Sequence, residues 1–231
     1  MSEGVRVRRR DDVTRQVLEI GRRHLAEYGA AALSLRAVTR DLGMVSSAVY
    51  RYVGSRDELL TLLLVDAYTE LGEAVDDRLA DCRRAAWDTR ILAVCHAVRD
   101  WALREPARYA LLYGSPVPGY EAPGEQTTEP GTRVILALLR LVAEGVASGD
   151  VTDGPALVPV PRPLRGDLAR VAADIGMDVQ PAVLARAVLL WATLFGAVSL
   201  EVFGQYGEDT FLERRALFEH QMRLALAVVR G

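Results

Sequence analysis

Residues 34–56, SLRAVTRDLGMVSSAVYRYVGSR, decide how the surrounding chain folds. The first part reads as a short helix over 34–42. Ser34 suits its N-cap, because the hydroxyl accepts from a backbone N–H that the helix leaves unpaired. Gly43 follows where helices commonly end in a left-handed residue, a conformation that costs glycine little. A second short helix reads over 46–53. Val49 and Val53 are four apart and face inward, while Ser46, Ser47, Ala48, Tyr50, Arg51 and Tyr52 lie on or beside the other face. Gly54 closes this helix. Ser55 and Glu58 then form the pattern of a capping box that opens the next one. Two helices joined by a short glycine-containing turn match a helix-turn-helix.

The flanking sequence supplies the supports. A helix reads over 11–28, with Val13, Val17, Ile20, Leu25 and Tyr28 near one stripe and Asp11 and Asp12 at its positive end. Before it, Arg6, Arg8, Arg9 and Arg10 read as a solvated tail or as an arm that follows phosphates. After it, a long helix over 57–80 carries Leu59, Leu60, Leu63, Leu64, Ala67, Leu71, Val75 and Leu79 at helical spacing. Because that helix starts at the helix-turn-helix and continues beyond it, a rotation at its far end must move its near end. Further helices read over 89–104, 106–113, 132–148, 164–175, 181–206 and 209–229. The stretches 114–131 and 149–163 each hold four prolines and read as loops. No period-two strand pattern and no internal repeat is seen. The pattern predicts an all-α protein: a three-helix helix-turn-helix domain over 1–55 and a larger helical bundle over 56–231.

Composition narrows the function classes. The chain has 231 residues and a net charge of −3, with 50% hydrophobic residues. Residues 1–60 hold 11 Arg against 8 acids, whereas the remainder holds 17 Arg against 23. A basic end on an acidic body suits a polyanionic partner at that end. Cys82 and Cys95 make neither a disulfide framework nor a zinc site, and reduced thiols in a cytoplasmic protein are expected. The charged N-terminus has no apolar stretch of a signal peptide. The run 187–200, fourteen uncharged residues, is too short to span a bilayer, so no membrane partner is expected. His24, His96 and His220 lie on separate helices without metal-ligand spacing, and no cofactor is expected. Neither a G-x-S-x-G elbow nor a phosphate-binding G-x-x-x-x-G-K-[ST] loop occurs, which argues against an enzyme.

Over about residues 11–70 the sequence resembles the DNA-binding domain of the tetracycline-repressor (TetR-type) family of transcriptional regulators. The resemblance rests on Leu35, Val38, Leu42 and Gly43, then Tyr50–Arg51–Tyr52–Val53–Gly54–Ser55–Arg56, then Leu59–Leu60. The chain departs from the family's usual pattern at Val53 (an aromatic), Gly54 (Pro), Arg56 (Lys) and Val45 (often a capping Ser). Trp191–Ser199, WATLFGAVS, also resembles a Trp-His-Gly-type C-terminal domain found in part of the family, with Phe195 in place of His.

The resemblance implies a homodimer that binds a palindromic double-stranded DNA operator and releases it when a small molecule binds the C-terminal domain. The alternative is a DNA-binding dimer with no small-molecule effector, controlled by a protein partner or by concentration. Ser46, Ser47 and Ala48 are expected at base edges, where hydroxyls donate or accept and Ala suits a thymine methyl. Tyr50, Arg51, Tyr52 and Arg56 are expected at phosphates, with Ser34 and Arg36 beside them at the start of the preceding helix. Candidate effector contacts are Tyr68, Trp101, Tyr109, Tyr113, Leu138, Trp191 and Phe195. Candidate dimer contacts are Leu194, Val198, Glu201, Phe218, Met222 and Ala225, on the last two helices. The effector's identity, the operator and the choice between repression and activation lie beyond the sequence.

Overall fold

A computed structural model describes residues 3–44, 46–154 and 158–231, with the side chains of residues 3–11 and of Ser46 and Ser47 left out of the description. Among the described residues there is no strand, as the helical spacing predicts. The helices are α1 (Glu3–Tyr28), α2 (Leu35–Asp41), α3 (Ser46–Val49), α4 (Arg56–Asp81), α5 (Trp87–Arg104), α6 (Pro106–Tyr113), α7 (Gly124–Ser148), α8 (Arg162–Asp174), α9 (Pro181–Val202) and α10 (Arg214–Arg230).

The chain divides into two compact units. Unit 1 comprises Met1–Glu70 and Arg104–Gly131; unit 2 comprises Leu71–Leu103 and Thr132–Gly231. Unit 1 therefore takes residues from both sides of position 55. Its core joins Val13 and Val17 of α1, Leu35 and Val38 of α2, Val49 of α3, Val53, and Leu59, Leu60 and Leu63 of α4. Leu111, Val117 and Tyr120, from α6 and the segment after it, pack against this same core. The Tyr120 hydroxyl lies 2.9 Å from Thr61 Oγ1 on α4. A helix pair this short cannot hold itself folded and depends on such supports.

In unit 2 the dominant packing is α9 against α10, with α8 along α9. Leu190, Leu194 and Val198 of α9 and Phe218, Met222 and Val229 of α10 are buried. The Trp87 indole donates to Leu141 O at 2.6 Å and ties α5 to α7. Helix α9 is long and apolar enough to cross a membrane by length and composition alone. Yet Glu201 near its end is buried in an ion pair with Arg99 of α5, the behaviour of an interior helix.

Several element boundaries differ from the sequence expectation. Helix α1 starts at Glu3, so Asp11 and Asp12 lie within it and not at its start. Arginine is a good helix former and nothing between Val5 and Arg10 breaks the helix. The side chains of Arg6, Arg8, Arg9, Arg10 and Asp11 lie outside the described residues, as does Val45. Helix α7 begins at Gly124 and takes Pro130 into its interior, where a loop was expected. Pro123 O accepts from the backbone of Gln126 and Thr127 and from the Thr127 hydroxyl, which secures the first turn ahead of the proline. Helix α9 stops at Val202, and Gly204 follows with φ 68°.

Candidate nucleic-acid interface

The helix-turn-helix is built from local chemistry. Ser34 Oγ accepts from Ala37 N at 3.4 Å, the N-cap contact its position predicts. Gly43 has φ 67°, so the turn uses the left-handed conformation for which glycine is suited. Asp41 closes α2 where the helix dipole disfavours an acid. It is held there by His24 Nε2 at 2.8 Å and Arg23 at 3.4 Å, both from α1. The hydrogen bond from His24 keeps the Asp41 carboxyl below its usual value.

Helix α3 is shorter than expected. Regular helix covers Ser46–Val49, and Tyr50–Arg51–Tyr52 continue as a turn. Tyr52 N and Val53 N both bond to Val49 O, which keeps Val53 in the core beside Val49. Ser55 Oγ accepts from Glu58 N at 3.0 Å, and Glu58 Oε2 reaches back to Gly54 N at 2.7 Å. This is the capping box with its return bond displaced by one residue, and it fixes the angle between the turn and α4.

The nine candidate DNA contacts separate by exposure. Ser34, Arg36, Tyr50 and Arg51 are exposed, and Ala48 is half-buried. The side chains of Ser46 and Ser47 lie outside the described residues. Tyr52 is half-buried with its ring against the unit 1 core. Arg56 has a different set of partners. Its Nε donates to Leu33 O at 3.0 Å, and one terminal nitrogen donates to Ala30 O and Ala31 O, each at 3.1 Å. These bonds tie the start of α4 to the link between α1 and α2, so a phosphate contact at Arg56 has to compete with three carbonyls. Arg40 was not singled out from sequence. It is exposed, four residues after Arg36 on α2 and hence on the same helix face, a spacing that sequence alone offers.

The seven candidate effector contacts divide between the units. Tyr68, Tyr109 and Tyr113 belong to unit 1, and Trp101, Leu138, Trp191 and Phe195 to unit 2. In unit 1 the Tyr113 ring lies 6.2 Å from Tyr68, edge to face, and 5.1 Å from Tyr109. Burial pushes the hydroxyls of Tyr68 and Tyr113 above the ordinary tyrosine value. In unit 2, Trp101 and Leu138 are fully buried, whereas Trp191 is 37% exposed with Phe195 at 5.8 Å.

The six candidate dimer contacts face inward. Leu194, Val198, Glu201, Phe218, Met222 and Ala225 are all buried within unit 2, none more than 8% exposed. Helices α9 and α10 pack on each other, Glu201 is held by Arg99 of α5, and the Phe218 ring lies against Arg99 and His96 of the same helix. The apolar residues left outside on these helices include Val188, Leu189, Trp191, Leu224 and Val228. Leu189 and Val228 also line an apolar groove of about 260 Å³ with Ala182, Ala185, Arg186, Leu164 and the segment 158–161. Among the described residues no group of His, Cys, Asp or Glu has the arrangement of a metal site.

The comparisons agree with this architecture. Residues 91–225 match the family model described as the tetracyclin repressor-like C-terminal domain. The HTH-type transcriptional regulator Rv1816 of Mycobacterium tuberculosis (strain ATCC 25618 / H37Rv) is 49% identical over 222 residues, which cover 95% of this chain and 93% of that protein. The HTH-type transcriptional regulator Mb1846 of Mycobacterium bovis matches to the same extent. A crystal structure of SCO4313, described as a regulatory protein, aligns with a TM-score of 0.75 at 31% identity over 95% of this chain and 98% of that one. A tetR-family regulatory protein from Rhodococcus RHA1 shares the fold at 15% identity, with a TM-score of 0.60 over 94% of this chain and 96% of its own. The capped, glycine-turned helix pair and the matched C-terminal domain together place this chain in the TetR family of DNA-binding transcriptional regulators.

Proposed function

We propose that this regulator is a cytoplasmic homodimeric repressor, without cofactor or catalytic activity, released from a palindromic operator by a small, largely apolar molecule. Residues 1–55 touch DNA, and the remainder dimerises and receives the effector. The observation that carries this reading is the set of exposed side chains Arg36, Tyr50 and Arg51 around a helix pair capped by Ser34, turned at Gly43 and anchored in the core by Val49. Arg36 and Arg51 neutralise phosphates, and Ser46, Ser47 and Ala48 read base edges. Arg56 acts from behind by holding α4 to the carbonyls of residues 30, 31 and 33. A second copy covers the outward apolar residues of α9 and α10, which sets the half-site spacing. The effector favours an arrangement in which that spacing is wrong, and each tenfold loss of operator affinity needs about 1.4 kcal/mol of differential binding.

The test is selection of duplexes from a randomised library by the full-length protein. An enriched palindrome is expected. Arg51→Ala should then weaken binding to every duplex and reduce the salt slope by about one. No enrichment at low salt would overturn the reading. A thermal-shift screen of apolar compounds separates an effector-controlled repressor from one without an effector, because a true effector raises the melting temperature by mass action.

A further inference from the structure

We infer that Asp66 is a positioning residue for DNA binding, the shared acceptor through which α6 fixes α1 on α4. This rests on the reading of the N-terminal helices as the DNA-touching part.

The geometry starts at Gly21, where α1 meets α4. A Cβ at this position would stand 3.3 Å from both methyls of Leu63 and 3.5 Å from Leu59, so the two helices approach closely here. The next residue, Arg22, is thereby brought onto Asp66 of α4. Its Nε donates to Asp66 Oδ2 at 2.9 Å and a terminal nitrogen donates to Oδ1. From α6, Arg108 donates to the same Oδ2 at 2.8 Å. The other terminal nitrogen of Arg108 donates to Glu70 Oε2 at 2.6 Å, with Glu105 at 3.6 Å. One carboxylate oxygen thus serves guanidinium groups from two helices.

The two arginines differ in what they can do without Asp66. The Arg108 side chain is 4% exposed and the Arg22 side chain 40%. Arg108 is desolvated and depends on carboxylates for its charge, whereas Arg22 can turn to water. Any shift of α6 that draws Arg108 away redistributes the carboxylate and changes how firmly Arg22 holds α1. Helix α1 in turn packs against α2, the first helix of the DNA-binding pair. The tyrosine cluster lies on the same two helices: Tyr109 follows Arg108, and Tyr68 is two residues beyond Asp66. A molecule that parted the Tyr68 and Tyr113 rings would strain the Asp66 contacts. The route through α6 adds to the covalent one along α4.

The test is a double-mutant cycle in the full-length protein, using the duplex that the wild type selects from a randomised library. Arg22→Met and Arg108→Met should each weaken binding about tenfold, with the double variant no worse than about the weaker single one. Losses that multiply to within about twofold would overturn the inference. Since a stranded Asp66 can unfold unit 1, Asp66→Leu with Arg108→Met provides a second variant with an apolar replacement. It should melt near the wild type. Its α1 amides should exchange about tenfold faster in the absence of DNA, with α9 and α10 unchanged. Unchanged exchange in α1 would overturn the inference on its own. Should the wild type select no duplex, the DNA reading fails, and the exchange comparison still decides the role of Asp66.

Discussion

The two units each hold a charged cluster around a buried arginine, and the clusters are wired differently. In unit 2, Arg99 of α5 meets Glu201 of α9 fork to carboxylate, at 2.7 and 2.5 Å, with the side chains 8% and 6% exposed. The Arg99 guanidinium also lies over the Phe218 ring at 5.5 Å. Both carboxylate oxygens go to one arginine, so this arrangement has one good geometry and acts as a staple. In unit 1, the Asp66 carboxylate is divided between arginines from α1 and α6, one of them 40% exposed. In that arrangement the outer arginine, Arg22, already meets water on part of its side chain. The difference in wiring suits the first cluster to rigidity, with both oxygens of one carboxylate on one guanidinium, and the second to adjustment, with one carboxylate serving two guanidinium groups.

The sharpest way to break this comparison is to cut the staple. Glu201→Leu should cost about 3–5 kcal/mol in chemical unfolding, because it strands a buried guanidinium. Adding Arg99→Met should restore most of that loss. A cost under about 1 kcal/mol for the single variant would remove the distinction between the two clusters. Glu70→Gln, at the edge of the unit 1 cluster, should cost less than about 1 kcal/mol, since Arg108 keeps Asp66 and the Glu70 side chain is 37% exposed. Raising salt from 0.1 to 1 M shortens the screening length from about 10 to about 3 Å. Hydrogen exchange in α1 should quicken under that change while α9 stays protected.

The smallest effect concerns His96, beside the staple. Its ring lies 5.5 Å from Phe218 and 3.8 Å from Glu219. Burial lowers its pKa, with Arg215 adding to the shift and Asp100 and Glu219 opposing it. The folded state therefore favours the neutral ring. The resulting stability is full above the ordinary histidine value of 6.5 and is lost as the pH falls through the lower folded value. His96→Gln should flatten the melting temperature between pH 7 and 5; an unchanged slope would assign that dependence to other groups.

What the sequence made legible was local. Ser34, Gly43 and the Ser55–Glu58 box act within four residues of themselves, and each performs the role its spacing predicts. The partners of Arg56 are 23 to 26 residues away, and no local pattern marks a basic side chain that turns back onto carbonyls. The Asp66 contacts span 44 and 42 residues and were illegible for the same reason. The α9–α10 pair is a different case. Its periodicity identifies apolar faces, and a periodic face is the same whether its cover comes from the same chain or another. Leu194 and Met222 proved to be covered internally, which leaves Leu189 and Val228 outside. The start of α7 was missed because proline and glycine counts marked a loop, while Pro123 O anchors a turn that precedes Pro130.

The interleaving of unit 1 has a consequence for biosynthesis. Leu111, Val117 and Tyr120 complete a core whose other members end at Leu63. At ribosomal speeds of about 5–20 residues per second, roughly 3–12 s pass between translation of the last of those members and of Tyr120. During that interval the nascent N-terminal helices lack one wall of their interior. A regulator arranged in this way withholds a finished grip on the chromosome until just over half of its polypeptide has been made.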